Sequence, residues 1–301
     1  MSKKIKRKEI LRQIALLLFL LAVTAFVLFP LLWIFSIALD PRNIDKPLEL
    51  RLIPPGASLN SFRKILVEPF RLLCKNPSDV STCMTFPRLL GNSLLVSLGT
   101  SVIAVILGAS AAYAFSRFQF IGRQAGMLGF IVLIMLPASA TLAPLYVLLT
   151  QVKIGNEPLR AMLPGLMVAY GSGALPFAIW NLKGYFDTVP RELEEAAIID
   201  GANQFQVFYR IIIPLSTPAL AVTILFSFMS GWTEFILAWT FLEDPSRFTL
   251  AMALRAMQGQ FATPWSEFAA LSILMSIPVV VIFFGLQRFI VSGLSMGAVK
   301  G

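Results

Sequence analysis

Histidine is absent from all 301 residues, which removes imidazole metal ligands, histidine proton relays and histidine-assisted nucleophiles from consideration. There is also no G-x-x-x-x-G-K-[ST] phosphate loop, so ATP chemistry cannot be argued for this chain and would have to come from a partner. Charged residues are scarce, 14% of the sequence against 57% hydrophobic, and the mean hydropathy is +0.77. That composition excludes an ordinary soluble domain and fits a polytopic membrane protein whose core is buried against lipid. The net charge of +9 does not argue for nucleic acid, because the basic residues are scattered between apolar runs and gather at their ends. Cysteine is nearly absent too. Cys74 and Cys83 both fall in the first loop outside the membrane; an oxidising compartment would close them into a short disulfide loop, and a reducing or protected one would leave two free thiols.

What the sequence has in abundance is long apolar runs. Six can be drawn, at residues 13–39, 89–115, 124–149, 159–181, 215–241 and 265–290, each long enough to cross a bilayer with some tilt. Lys3, Lys4, Lys6, Arg7, Lys8 and Arg12 precede the first run, which is too long for a signal-peptide core and is followed by no small-residue cleavage site. Arg117, Arg123, Lys183, Arg191, Arg210, Arg288 and Lys300 fall on the same side, whereas the two short outside loops hold only Lys153, Arg160, Arg247 and Arg255. The asymmetry predicts both termini in the cytoplasm: residues 1–12 as a cytoplasmic N-terminus, 13–39 as the first span, 40–88 as an extracytoplasmic loop, 89–290 as a five-helix core and 291–301 as a cytoplasmic tail. Small residues four apart, Ala104, Gly108 and Ala112 in the second span and Gly165, Ala169 and Gly173 in the fourth, would let helix backbones approach closely. Pro137 and Pro144 interrupt the third span, freeing carbonyls that need neighbouring helices or a wet cavity.

Glu234, in Gly231-Trp232-Thr233-Glu234-Phe235, is the notable carboxylate inside a predicted span. Such a group either lines a translocation path, with Trp232 beside it, or packs against another helix or subunit close to the wetted outer surface. Few charges accompany it, which disfavours a self-sufficient secondary transporter or proton pump; missing histidine and the lack of paired acids in spans disfavour an intramembrane enzyme.

A long polar stretch set among the apolar runs, residues 190–218, follows the fourth span and leads into the fifth. Glu192, Glu194 and Glu195 follow Pro190 and suit the positive end of a helix. Leu193, Ala196, Ala197 and Asp200 recur at helical spacing as a nearly flat face that another protein could approach, and Gly201 ends the helix. Asn203 with Gln206 reads as a capping box opening a second helix at 204–212 that runs into Pro214. Two short helices at an elbow are therefore expected.

Glu195-Ala196-Ala197, Gly201 and the closing Ile211-Ile212-Ile213-Pro214 resemble the EAA loop of ATP-binding-cassette (ABC) importer permeases. Asn92-Ser93-Leu94, Ala112 to Arg117, Pro144-Leu145-Tyr146 and Leu175-Pro176-Phe177 resemble the carbohydrate-type branch, and residues 287–301 resemble the ending of the smaller permease of maltose-type (type I) importers. The resemblance implies an all-α membrane protein of six transmembrane helices in the type I importer permease fold, with cytoplasmic coupling helices in a loop at 182–214. It implies a non-enzymatic subunit of the inner or plasma membrane, importing an oligosaccharide or related sugar, with a glycerol-phosphate or polyol importer as the alternative. Its partners would be a second, non-identical permease, an ABC ATPase dimer that holds the ATP and magnesium, an extracytoplasmic solute-binding protein and the lipid bilayer, without nucleic acid. Carried over by residue, Glu195, Ala196, Ala197, Asp200, Gly201 and Pro214 would couple to the ATPase, Gly293, Gly297 and Lys300 would carry a flexible tail into the ATPase interface, and Gln258, Gly259 and Gln260 would tip a loop that meets the binding protein. Residues 68–86, with both cysteines, depart from the family pattern.

Overall fold

The computed structural model describes residues 2–43, 52–76, 78–259 and 263–297, with backbone alone at 2–8, 138 and 291–297. By contacts the chain divides into two compact units, Met1–Glu68 with Met257–Met275, and Pro69–Ala256 with Ser276–Gly301.

In the first unit, helix α1 (Ser2–Leu39) takes in the basic N-terminal residues as well as the first apolar run. None of its membrane-length window is buried inside the chain, as expected of a helix whose apolar surface is satisfied by lipid or by another subunit. The helix stops at Asp40, whose carboxylate accepts from the Arg42 backbone N–H and guanidinium at 2.7–3.0 Å. The hydrogen bond from the Arg42 side chain holds the Asp40 carboxyl below its ordinary range. Ser266 Oγ donates to the Asp40 carbonyl at 2.7 Å, and Lys64, on helix α2 (Asn60–Val67), pairs with Glu267 at 3.0 Å.

The second unit opens with a two-stranded antiparallel pair, β1 (Phe70–Cys74) and β2 (Cys83–Met84), across which Cys74 and Cys83 are bonded. Helix α3 (Phe86–Arg117) follows, then α4 (Arg123–Met135) and α5 (Leu142–Gln151). A small pair, β3 (Lys153–Ile154) and β4 (Glu157–Pro158), leads to α6 (Leu163–Phe186). Helix α10 (Thr217–Thr233) packs with α3 and α6 through side chains small enough for close approach. A Cβ on Gly108 would stand 2.8 Å from that of Ala178, one on Gly171 2.8 Å from Ile103 Cγ2, and one on Gly231 3.0 Å from the Ser97 Cα. The predicted small-residue stripe thus holds for the second span at Gly108; in the fourth, a Cβ on Gly165 would run into the Leu159 carbonyl oxygen and Ala169 is buried, whereas Gly173 faces open space and Gly171, outside the stripe, makes the approach to α3. Two of the hydroxyls between these helices are satisfied within their own helix: Ser97 Oγ donates to the Ser93 carbonyl at 2.7 Å and Thr223 Oγ1 to the Ala219 carbonyl at 2.9 Å.

Among the described residues, four helices are long and apolar enough to cross a membrane, Glu9–Leu39, Phe86–Arg117, Leu163–Phe186 and Trp265–Ile290, and up to six if each of two bent pairs, Arg123–Met135 with Ser139–Gln151 and Gln204–Leu215 with Thr217–Thr233, is one span. Two expected spans are not straight, the third in line with the interruption expected at Pro137 and the fifth at a place the apolar run does not mark. The third turns by 104° between Arg123–Met135 and Ser139–Gln151, at Pro137, which lacks the N–H to continue the ladder. The fifth is broken: α10 ends at Thr233 and α11 (Ile236–Phe241) restarts two residues later. Helices α12 (Leu250–Ala256) and α13 (Trp265–Gly297) complete the order.

Candidate functional site: the two-helix elbow

Between α6 and α10 the chain forms the expected elbow. Helix α7 (Glu192–Ile199) carries Glu192, Glu194 and Glu195 in its first turn, where unpaired N–H groups and the helix dipole favour carboxylates. It closes as a Schellman motif: Gly201 N–H donates to the Ile198 carbonyl at 3.0 Å and Ala202 N–H to the Ala197 carbonyl at 2.9 Å. Gly201 sits at φ +91°, the left-handed conformation this ending needs. The next helix, α8 (Gln204–Val207), opens with a complete capping box, in which Asn203 Oδ1 accepts from Gln206 N–H and Gln206 Oε1 from Asn203 N–H, both at 2.9 Å. It continues through a π-turn at Phe208–Ile212 into α9 (Ile213–Leu215). Pro214 has no N–H for the carbonyl four residues back, and the wider turn, with Ile213 bonded to the Phe208 carbonyl, fits that gap. The Gln204–Leu215 helix then meets α10 at a bend of 80°.

The two faces of α7 differ sharply. Outward, Glu195, Ala196 and Asp200 are exposed, Ala197 is half-buried, and Ile199 and Phe205 are 86% and 74% exposed. Inward, Glu194 is buried. Arg117 Nε, on the last turn of α3, donates to Glu194 Oε1, and Tyr113 Oη, one turn earlier, donates to Glu194 Oε2 at 3.0 Å. The Gln204 side-chain amide lies 3.2 Å from the same hydroxyl. Arg117 also donates to the Val189 carbonyl at 3.0 Å and the Ser116 hydroxyl at 3.1 Å, and Ser116 donates to Asp187 Oδ1 at 2.6 Å. Lys183 holds the other Asp187 oxygen. Burial alone would raise the Asp187 carboxyl, but Lys183, Ser116 and Arg117 together bring it below its ordinary value of 3.8. Because the folded value is the lower one, this contribution to stability is complete above that value and is lost only as pH falls through the folded one. Beneath the polar set, Tyr113, Leu182, Phe186, Val189 and Ile212 form a continuous apolar cluster, with the Tyr113 and Phe208 rings 4.9 Å apart.

The other predicted residues lie apart from the elbow. Glu234 occupies the break between α10 and α11 and accepts from the N–H groups of Ile236 at 2.8 Å and Leu237 at 3.1 Å. It therefore caps a restarted helix, a role that reading the segment as one unbroken span did not include. Trp232 is buried and stacked on Phe228 with ring centroids 5.3 Å apart. Gln258 and Gly259 are exposed after α12, whereas Gln260 lies outside the described residues. The tail differs from the flexible strip expected after residue 290: α13 continues through Gly293 to Gly297, since no proline or left-handed glycine stops it, and Lys300 lies outside the described residues. Sequence reasoning singled out Glu195 and missed Glu194 and Arg117. The four-residue spacing of Tyr113 and Arg117, which puts both on one face at the end of a span, was the signal available.

Residues 104–296 match the family described as binding-protein-dependent transport system inner membrane component. The chain is similar to the trehalose transport system permease protein SugB of Mycobacterium tuberculosis, 34% identical over 281 residues that cover 93% of this chain and 94% of that one. It is also similar to the maltose/maltodextrin transport system permease protein MalG of Yersinia pestis, 33% identical over 94% of this chain and 91% of the relative. Among solved structures, a chain of a bacterial ABC transporter involved in the import of the acidic polysaccharide alginate superposes with a TM-score of 0.71, at 19% identity, covering 94% of this chain and 97% of that chain; this likeness concerns the fold.

Proposed function

The chain belongs to the binding-protein-dependent transport system inner membrane components, and from that membership we propose that it is the permease subunit of an ATP-driven importer for an oligosaccharide or related sugar. The sugar is supported by the trehalose and maltose systems named for its relatives. In this reading the subunit pairs with a second, non-identical permease, and the two form the path while an ABC ATPase dimer holds and hydrolyses ATP-Mg. An extracytoplasmic binding protein delivers solute, and both termini lie in the cytoplasm, as the distribution of Lys and Arg supports.

The observation that carries the proposal is the outer face of the elbow, where Glu195, Ala196, Asp200, Ile199 and Phe205 stand exposed on a chain with no nucleotide site of its own. Glu195 is assigned to a basic group on the ATPase, Ala196 and Ala197 to close docking, Gly201 to the elbow angle, and Pro214 to the junction with the span that follows. When ATP closes the ATPase dimer, the elbows are drawn together and the spans rock from inward-facing to outward-facing. That works only if the closed ATPase makes more favourable contacts with one arrangement than with the other. The capped break at Glu234, above Trp232, is assigned to this subunit's share of the path, Gln258 and its neighbours to the binding protein, and the end of α13 to the ATPase interface.

Vesicles reconstituted with the complete importer should take up a sugar from a labelled panel only with ATP and the binding protein, and vesicles holding this subunit alone should take up none. Nucleotide-independent uptake by the single subunit would contradict the proposal.

A further inference from the structure

Among the described residues, Glu194 is the one buried residue of α7; the apolar side chains of that helix, Leu193, Ile198 and Ile199, all open outward. A short helix is ordinarily held to its domain by an apolar stripe. Here a carboxyl side chain does that work, and its partner Arg117 is equally withdrawn from water, the two side chains being 10% and 8% exposed.

The hydrogen bonds around this pair converge on the last two turns of α3. Arg117 grips Glu194 in α7 and the Val189 carbonyl in the segment that leads into α7. Tyr113 holds the second carboxylate oxygen, lies beside Gln204 at the start of α8 and packs its ring on Phe208. Both arms of the elbow are thus pinned to one helix. That helix is in turn seated without slack against its neighbours, at Gly108 on Ala178 and at Ser97 beneath Gly231. Apolar contacts are non-directional and tolerate sliding, whereas a charge-assisted fork with both carboxylate oxygens engaged fixes direction.

We propose that the buried Arg117–Glu194 pair, braced by Tyr113, is the joint that carries displacement of the elbow into α3, so that adjacent glutamates divide the work: Glu195 faces the ATPase and Glu194 holds the elbow to the spans. These are positioning residues, and the proposal rests on the importer reading above. A buried ion pair is poor evidence of stabilisation in itself, since an apolar pair of similar volume often folds as well, while loss of one partner strands a charge. The division between folding and coupling can therefore be measured.

The test uses the complete importer in right-side-out vesicles, with Thr233→Cys at the outer end of α10 as the reporter and a membrane-impermeant maleimide as the probe. The parent should change its labelling rate when ATP is trapped in the ATPase. Glu194→Gln should reduce that ATP-driven change about tenfold and Tyr113→Phe, which strands no charge, about threefold, within the ordinary range of coupling between sites. The double variant Arg117→Met with Glu194→Leu should recover the parental melting temperature in detergent without recovering the ATP response. Recovery of both, or single variants that respond as the parent does, would overturn the proposal and show the pair to be structural. A parent with no ATP response at all would contradict the importer reading, and this joint with it.

Discussion

Gly201 holds the left-handed backbone on which the end of α7 depends. Nothing lies within 4 Å of where its Cβ would stand, so a side chain there is opposed by φ of +91° rather than by crowding, at a cost of about 1–2 kcal/mol. Gly201→Asp adds a carboxylate beside Asp200 as well, on the face assigned to the ATPase. Uptake should fall to background while the membrane fraction still contains the protein; normal uptake by that variant would contradict the assignment of the elbow angle to this residue. The glycine was legible in the sequence because it follows a helical run and precedes a cap. The neighbouring carboxylates were not. Glu194 and Glu195 are identical in type and differ by about 100° around the helix, and which one turns inward depends on Arg117, 77 residues earlier.

At the scale of elements, local chemistry was read well and tertiary geometry was not. The acidic first turn of α7, its glycine ending and the Asn203–Gln206 box are fixed by residues within a few positions of one another, and all three are present. Pro137 marked the interruption of the third span but not its 104° angle; the π-turn before Pro214 and the break at Glu234 lie within runs whose hydropathy looks uniform, and hydropathy alone does not distinguish a straight helix from a bent one. Small residues show the same limit, since Gly108 and Gly173 look alike in the sequence and have different surroundings. Gly108→Val should destabilise the detergent-solubilised protein by about 1–3 kcal/mol, because its Cβ would stand 2.8 Å from that of Ala178. Gly173→Ala has open space and should melt as the parent does. Equal melting temperatures for the two variants would contradict the packing of α3 on α6.

At the scale of the whole sequence, apolar runs dominate, a two-helix elbow interrupts them and no G-x-x-x-x-G-K-[ST] phosphate loop occurs. Composition excluded a soluble enzyme, and the spacing of small residues anticipated one close approach in the α3–α6 packing, Gly108 on Ala178. The sequence could not reveal how far the chain satisfies itself. Ile199, at the end of α7, is 86% exposed, and in the importer reading proposed above the ATPase covers it. The most direct measurement places a photoactivated cross-linking side chain at position 195 in the assembled importer and identifies the captured peptide by mass spectrometry. The account predicts that the captured peptide comes from the ATPase; capture of lipid or of this same chain alone would contradict it.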